Sequence, residues 1–514
     1  MIVRRFAMLL VAGSVIAMAA CGGGGGSSNS TVTGVTVTCS PSTITSGQTS
    51  QCTASVTGTG NFSTAVSWAA STGSISSTGL FTAPGTNASL QVMVTATSTQ
   101  NTNVSGTATI IVNPTTTGAN VAPITVDAGP APSSFTSTNV AFATVTVCIP
   151  GTSTCQTIDH VSVDTGSSGL RLLSSASGGE FNLNLPPENI SGNPLDECLV
   201  FLDGFVWGPV YTATVTVAGK TASNVPVQVM IPPGSSPAVP SSCSSQTTGS
   251  NEGDKLIDFG ANGIIGVGLF QNDCGQYCVQ DGSSCDPTNS SAPCVYYQCP
   301  GSGCTPTNVA IAQQVPNPVT LFAKDNNGVL ITFSTPVPDG GAPTANGSLI
   351  FGIGTESNNG LGSAQVYKVP DSGTNAGNML TTFNGQQYQA FVDSGSNGLF
   401  FLDSSVAGVP ATCPSGNQQA GSDWYCPSTS PDNLTASNQG QSTSGPVGNP
   451  VQVSFSIENA TNLFFNTSNT AFSTLGGPQS GSFDWGLSFF YGRSVFTAVD
   501  GASTPGGNGP YFAY

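Results

Sequence analysis

The stretch Val161-Ser-Val-Asp164-Thr-Gly-Ser-Ser-Gly-Leu170 returns 229 residues later as Ala390-Phe-Val-Asp393-Ser-Gly-Ser-Asn-Gly-Leu399. In each copy an apolar, β-type run ends on an acid, a hydroxyl residue and a glycine. Such a run predicts a carboxylate at the end of a buried strand, with the glycine permitting the tight turn that follows. The flanking hydroxyls and backbone N–H groups can hydrogen-bond that carboxylate. Two copies of one unit predict a duplicated, two-lobed fold. If the turns meet at a pseudo-twofold axis, two carboxylates come together. Like charges about 3 Å apart cannot both ionise cheaply, so the pair shares one proton. A water between them can be deprotonated by one carboxylate while the other polarises a carbonyl. Asp164 and Asp393 are therefore the candidate catalytic pair, in chemistry that needs no cofactor, metal or nucleophilic side chain. Asp371-Ser-Gly-Thr374 matches the same short pattern, but it follows Val369-Pro370 and no apolar strand flanks it. Context sets it aside.

Composition sets the wider frame. The 514 residues carry 25 Asp+Glu against 8 Lys+Arg, a formal net charge of −17, and one histidine. No basic surface exists to neutralise phosphates, which excludes a nucleic-acid partner. With 38% hydrophobic and only 6% charged residues, the chain is no charge-rich disordered polymer. Ser, Thr, Val, Gly and Pro stand where helices would need Ala, Leu, Glu and Lys, so the fold class is all-β.

The N-terminus has Arg4-Arg5 and an apolar run from Phe6 to Ala20, too short for a confident membrane span. It closes on Met18-Ala-Ala-Cys21, which resembles a bacterial lipoprotein signal. On that reading residues 1–20 are removed, Cys21 carries the lipid, and residues 21–32 form a Gly/Ser tether. The alternative is an ordinary signal peptide with a cysteine nearby. Either address implies export, with localisation at the bacterial cell envelope and membrane contact only through the lipid. Fourteen further cysteines suit a disulfide-permissive compartment. Cys39/Cys52, Cys148/Cys155 and Cys413/Cys426 read as short-loop pairs and Cys198/Cys243 as a longer one. Cys274, Cys278, Cys285, Cys294, Cys299 and Cys304 allow three more bridges of open connectivity. They include no Cys-x-x-Cys pair and His160 is far away, so no metal site is expected.

Residues 33–113 alternate with period two between regular turns, the pattern of a small sandwich. The segment resembles a bacterial immunoglobulin-like repeat, including "SGQTSQCTASV" and "STGLFTAPG", which implies a stalk or adhesive unit. Residues 114–132 read as a Pro/Thr/Ala/Ser linker. From about residue 130 the chain resembles the pepsin-like aspartic peptidases. Beyond the paired turns, "NGIIGVGL" (262–269), "GSLIFGIG" (347–354), "VWGPVYTATVTVAG" (206–219) and "FDWGLSFFYGRSVFTAVDG" (483–501) match that family's order of elements. The resemblance implies an all-β chain in which an immunoglobulin-like sandwich precedes a two-lobed pepsin-like fold. Its lobes would be 133–355 and 356–514, with a cleft for an extended polypeptide. It further implies that Thr165 and Ser394 form an inter-lobe grip and that Ser167 and Ser396 bond the outer carboxylate oxygens, with Gly166 and Gly395 completing the turns.

The family pattern is departed from in one region. A tryptophan usually follows the first catalytic aspartate by seven residues and contacts a flap tyrosine; here these positions are Arg171 and, near the flap, Phe201. Phe201, Gly204, Trp207 and Arg171 are the flap and cleft candidates. For Trp207 and Tyr211 core packing is the competing role. A cation beside the dyad would lower its pKa; the other reading of Arg171 is a rim residue paired with an acid. The Cys-dense stretch 271–305 and the Ser/Gly/Asn-rich stretch 427–448 read as decoration. Strand alternation puts His160 on the face of Asp164, although aspartic chemistry needs no imidazole. Three functions follow: an exported, lipid-anchored aspartic endopeptidase; a catalytically degenerate module binding a peptide, glycan or protein partner; and a structural surface protein with an unused cleft.

Overall fold

The computed structural model describes residues 30–45, 48–84, 90–113, 120–130, 137–201, 204–231, 235–246, 259–289, 292–333, 336–416 and 420–514. The signal segment, Cys21 and most of the tether lie outside them. Among the described residues no helix is long and apolar enough to cross a membrane. The chain divides near residue 117 into two compact units.

The first unit is a sandwich of two four-stranded sheets. One contains Thr31–Ser40, Thr49–Thr59, Leu80–Thr82 and Ser74–Ile75, the other Thr43–Thr45, Ser105–Asn113, Leu90–Ser98 and Val66–Ala70. The period-two pattern buries Val35, Val37 and Phe81 from one sheet against Val92, Val94 and Ile110 from the other. Cys39 and Cys52, opposite each other in register, are bridged by a disulfide.

The second unit is also built of strands, which among the described residues form one sixteen-stranded, one seven-stranded and one two-stranded sheet. Its site rests on nine of them: β1 (Cys155–Asp164), β2 (Ser168–Leu173), β3 (Asn193–Phe201), β4 (Gly204–Val217), β5 (Lys220–Met230), β6 (Gly263–Val267), β7 (Gln386–Val392), β8 (Leu399–Leu402) and β9 (Gln479–Trp485). In the first lobe β6 lies between β1, parallel, and β2, antiparallel. The second lobe repeats this with β9 between β7, parallel, and β8, antiparallel. One arrangement made twice from one sequence unit is a duplicated fold. Val161, Val163, Leu170, Ile265, Val392, Leu399 and Trp485 are buried in one continuous core beneath both turns.

Three boundaries differ from the sequence reading. Val121–Val126 is not linker: it pairs with Ala345–Phe351 and with Ala141–Phe142, because its apolar residues alternate and bury one face. The lobes are not separated cleanly at residue 355. Ser494–Ala498 pairs with Gly328–Thr332 and with Tyr511–Ala513, so the chain's last strands return to the large sheet. The polar stretch 427–448 is not decoration either. Asp432–Ser442 forms a long hairpin with Gly445–Ile457 and pairs with Met379–Phe383 in the second-lobe sheet. Polar side chains are tolerated there because a strand may show one face to water.

Candidate active site

Each turn ends a buried strand, and the two turns grip each other. Asp164 accepts from the Gly166 N–H at 2.7 Å and from Ser167 Oγ at 2.5 Å. Asp393 accepts from the Gly395 N–H and from Ser396 Oγ, both at 2.7 Å. The Thr165 N–H donates to Ser394 Oγ at 3.1 Å and the Ser394 N–H to Thr165 Oγ1 at 2.9 Å. Their hydroxyls then donate onward to Val392 O and Val163 O, each in the other lobe. This reciprocal lattice fixes the approach of the two strand ends. The glycines are required by that approach: a Cβ on Gly166 would lie 2.6 Å from Asp393 Cγ, and one on Gly395 2.6 Å from Asp164 Oδ1. Both carboxylates are buried, at 0% and 2% exposure. Burial first, and then the charge of Asp164, push Asp393 up to about 7 against the opposing Ser396 hydrogen bond. Asp371, in the unflanked copy of the pattern, is exposed and hydrogen-bonded only to its neighbour Ser372.

A cavity of about 480 Å³ opens over the two turns, with Asp393 in its lining. Thr165, Gly166 and Asp393 line its polar floor, while Phe201, Phe270, Phe391 and Phe512 supply apolar walls. Phe201 arrives on the β3–β4 hairpin, where it pairs with Gly204. Of the four flap and cleft candidates, Phe201 alone lines this cavity; Gly204 is buried beside it.

Trp207 and Arg171 are core residues. Trp207 is 1% exposed, donates from Nε1 to Pro237 O, and packs edge-on against Tyr297. The Cys198–Cys243 disulfide belongs to the same cluster. Tyr297 belongs to Tyr296–Gln298, which pairs with β3. The Cys-dense stretch is therefore no surface ornament: it adds a strand to the flap hairpin. Cys274–Cys278, Cys285–Cys294 and Cys299–Cys304 staple it. Cys148–Cys155 and Cys413–Cys426 complete the bridges.

Arg171 is paired with acids, as one of its two readings had it, but it is buried and not at the rim. It is 0% exposed and points at the flap. Its Nη2 donates to Glu197 Oε1 on β3 at 2.5 Å and to Asp273 Oδ2 at 3.1 Å, and its Nη1 to Ser168 O at 2.8 Å. The Tyr296 hydroxyl donates to Asp273 and accepts the Val315 N–H. Burial and Glu197 hold Asp273 well above the usual carboxylate range. A buried ion cluster thus ties β2, the strand after the Asp164 turn, to the β3–β4 hairpin, where an aromatic pair was expected. Beside it Asp196, buried with both oxygens unpartnered, is pushed up to about 7 by burial.

His160 lies outside the site. The β1 register slips between Ala143 and Val145 of the neighbouring strand, and His160 adopts φ 50°, which breaks the alternation toward Asp164. Its ring contacts Asp127 at 3.2 Å and Asp159 at 3.1 Å. Burial opposes its charge, yet hydrogen bonds to the two acids raise it to about 10. A raised histidine stabilises the fold fully below its free pKa of about 6.5 and loses that contribution as pH rises through about 10. His160→Gln is therefore expected to melt below the native protein at pH 6 and to converge with it above pH 10, as read by calorimetry. Four buried acids escaped the sequence reading: Asp196, Glu197, Asp273 and Asp484. Asp484, between Phe483 and Trp485 on β9, is 1% exposed and stands opposite Phe391, two residues before Asp393. An acid in the middle of "SFDWGL" was its only signal.

The model of a family described as "Protein of unknown function (DUF3443)" matches residues 116–514. No curated protein matches the chain. Among solved structures, the crystal structure of aspartic proteinase from Irpex lacteus is similar at 15% identity. That match covers 76% of this chain and 96% of that one, with a TM-score of 0.42.

Proposed function

We propose that this chain, which belongs to the DUF3443 family, is a pepsin-like aspartic endopeptidase that hydrolyses peptide bonds with a water held between Asp164 and Asp393. The observation that carries the reading is the mutual approach of the two turns, each glycine leaving room for the other lobe's carboxylate. In the reaction the ionised carboxylate takes a proton from water, whose oxygen attacks the scissile carbonyl carbon. The protonated carboxyl, assigned to Asp393, gives its proton to the carbonyl oxygen. Collapse of the tetrahedral diol breaks the C–N bond: the proton taken from water passes from its carboxyl to the leaving nitrogen, and Asp393 takes one back from a diol hydroxyl, which restores the starting pair. The apolar walls suit an extended polypeptide with apolar side chains beside the scissile bond. The same proposal puts the protein at the bacterial cell envelope, anchored through Cys21, with the immunoglobulin-like sandwich as stalk. Its seven disulfides fit an oxidising compartment.

The test is incubation of the purified protein with denatured polypeptides from pH 3 to 9. Cleavage is expected to fall away as pH rises through about 7, where Asp393 loses the proton the mechanism needs. A folded protein that cleaves nothing across this range would sink the hydrolase. The second reading, a module that holds a peptide, glycan or protein without cutting it, draws on the flap. A hairpin sewn into a disulfide-stapled sheet opens less readily than one resting on an aromatic contact.

A further inference from the structure

We infer that the Cys299–Cys304 disulfide is an exchange-active pair, which opens by taking electrons from thiols, and that Asp196 is the acid that gives a proton to the sulfur that leaves. Strand alternation along β3 sets the site. Glu197 turns to Arg171 on one face, while Asp196 and Cys198 share the other. β3 pairs with Tyr296–Gln298, which places Asp196 opposite Tyr297. Cys299 follows directly, its N–H held by Pro194 O at 2.9 Å. A carboxylate oxygen of Asp196 and the two sulfurs thus lie within 4.8 Å of one another. Among the described residues no other disulfide has an acid so placed.

No structural contact accounts for this acid. Asp196 is 0% exposed, and neither of its oxygens has a hydrogen-bond partner. A bare carboxylate is not sustained in such a place, so burial keeps the group protonated up to about pH 7. The titratable neighbours bring no cation: Tyr211 on β4 feels the charge of Asp196, and the Tyr297 hydroxyl meets Ser242. The two sulfurs differ in access. Cys299 is 6% exposed and packs among Cys198, Trp207 and Tyr297. Cys304 is partly exposed and ends the turn 300–303, whose Gly301 and Gly303 face open space. An incoming thiolate therefore attacks Cys304 Sγ. The S–S bond breaks, a mixed disulfide forms at Cys304, and the electron pair leaves on Cys299 Sγ. A thiolate in apolar surroundings is costly, and the neutral Asp196 carboxyl supplies the proton that removes the charge. A second thiolate attacks the outer sulfur of the mixed disulfide and releases Cys304, which, like Asp196, regains a proton from water. Two thiols have become one disulfide, and the protein's pair has gained two electrons.

The test uses the full oxidised chain with glutathione as the thiol, from pH 5 to 9. N-ethylmaleimide traps the freed sulfurs and peptide mass spectrometry locates them. Cys148–Cys155, also a short-range pair and with Cys155 exposed, is the reference in the same sample. At pH 6 Cys299–Cys304 is expected to open faster than the reference by about tenfold or more. Its rate per glutathione thiolate should fall as pH rises through about 7, where Asp196 loses its proton. Asp196→Asn keeps the size of the acid without a proton to give. That variant should open more slowly at pH 6 by about tenfold or more, and its profile should lack the fall. Opening no faster than the reference, a native profile without the fall, or an Asp196→Asn variant as fast as the native chain or faster overturns the proposal. If Asp196→Asn does not fold, the native profile decides. No peptide is cleaved in this assay, so its outcome is independent of Asp164 and Asp393.

Discussion

Asp164→Asn and Asp393→Asn are each expected to lower peptide hydrolysis by about 10²–10⁴-fold or more, the range over which a positioned acid or base contributes. Each amide keeps the size of the carboxylate and can stay in its turn, but it can neither take nor give the proton. The two losses should not add, because one proton is shared by a pair and either substitution removes the sharing. Stability provides the control for misfolding. Asp393 titrates higher in the folded chain than its free value of 3.8, so its ionisation opposes folding increasingly from that value up to about pH 7. Asp393→Asn should therefore be the more stable protein at pH 8, by a few kcal/mol at most given about 1.36 kcal/mol per pKa unit. The difference should vanish below about pH 4. An inactive variant that melts higher than the native protein at pH 8 is the combined result to seek. Activity retained in either variant would remove the dyad from the chemistry.

Arg171→Met is expected to destabilise the second unit by about 3–5 kcal/mol, the cost of breaking a buried pair from one side. The guanidinium, itself 0% exposed, makes three contacts at once, to Ser168, Glu197 and Asp273. Without it Glu197 and Asp273 face each other alone. Lysine should rescue poorly, since a single ammonium cannot reproduce a planar fork. Arg171→Met combined with Glu197→Gln and Asp273→Asn should recover much of the loss, because it removes the charges together. Denaturant unfolding of the single, lysine and triple variants checks the series. A single variant as stable as the native protein would mean that the cluster holds nothing. Where the single variant folds, its KM should rise more than its kcat falls, since Glu197 belongs to the flap strand and not to the dyad.

The legible parts of this chain are those whose physics is local. An apolar alternating run that ends on Asp-Thr-Gly-Ser says where a strand stops and which groups surround its carboxylate. Its return as Asp-Ser-Gly-Ser says that this happens twice. Disulfide pairs close in sequence, such as Cys148–Cys155 and Cys413–Cys426, are nearly as local. Val121–Val126 was hidden because proline and threonine resemble linker until a partner strand appears. His160 misled for the opposite reason: a bulge of one residue reverses a face, and periodicity cannot foresee it.

The sequence by itself determined the all-β class, the duplicated unit and the identity of the two acids, because strand alternation and turn chemistry are written within about ten residues. Only the tertiary structure decided that Arg171 is bound by Glu197 and Asp273, that the cysteine-rich segment becomes part of the flap, and that Asp484 is buried opposite Phe391. Those facts are pairings between residues as much as about a hundred positions apart. A buried charge takes its meaning from the partner it meets, and that partner exists only once the strands have come together.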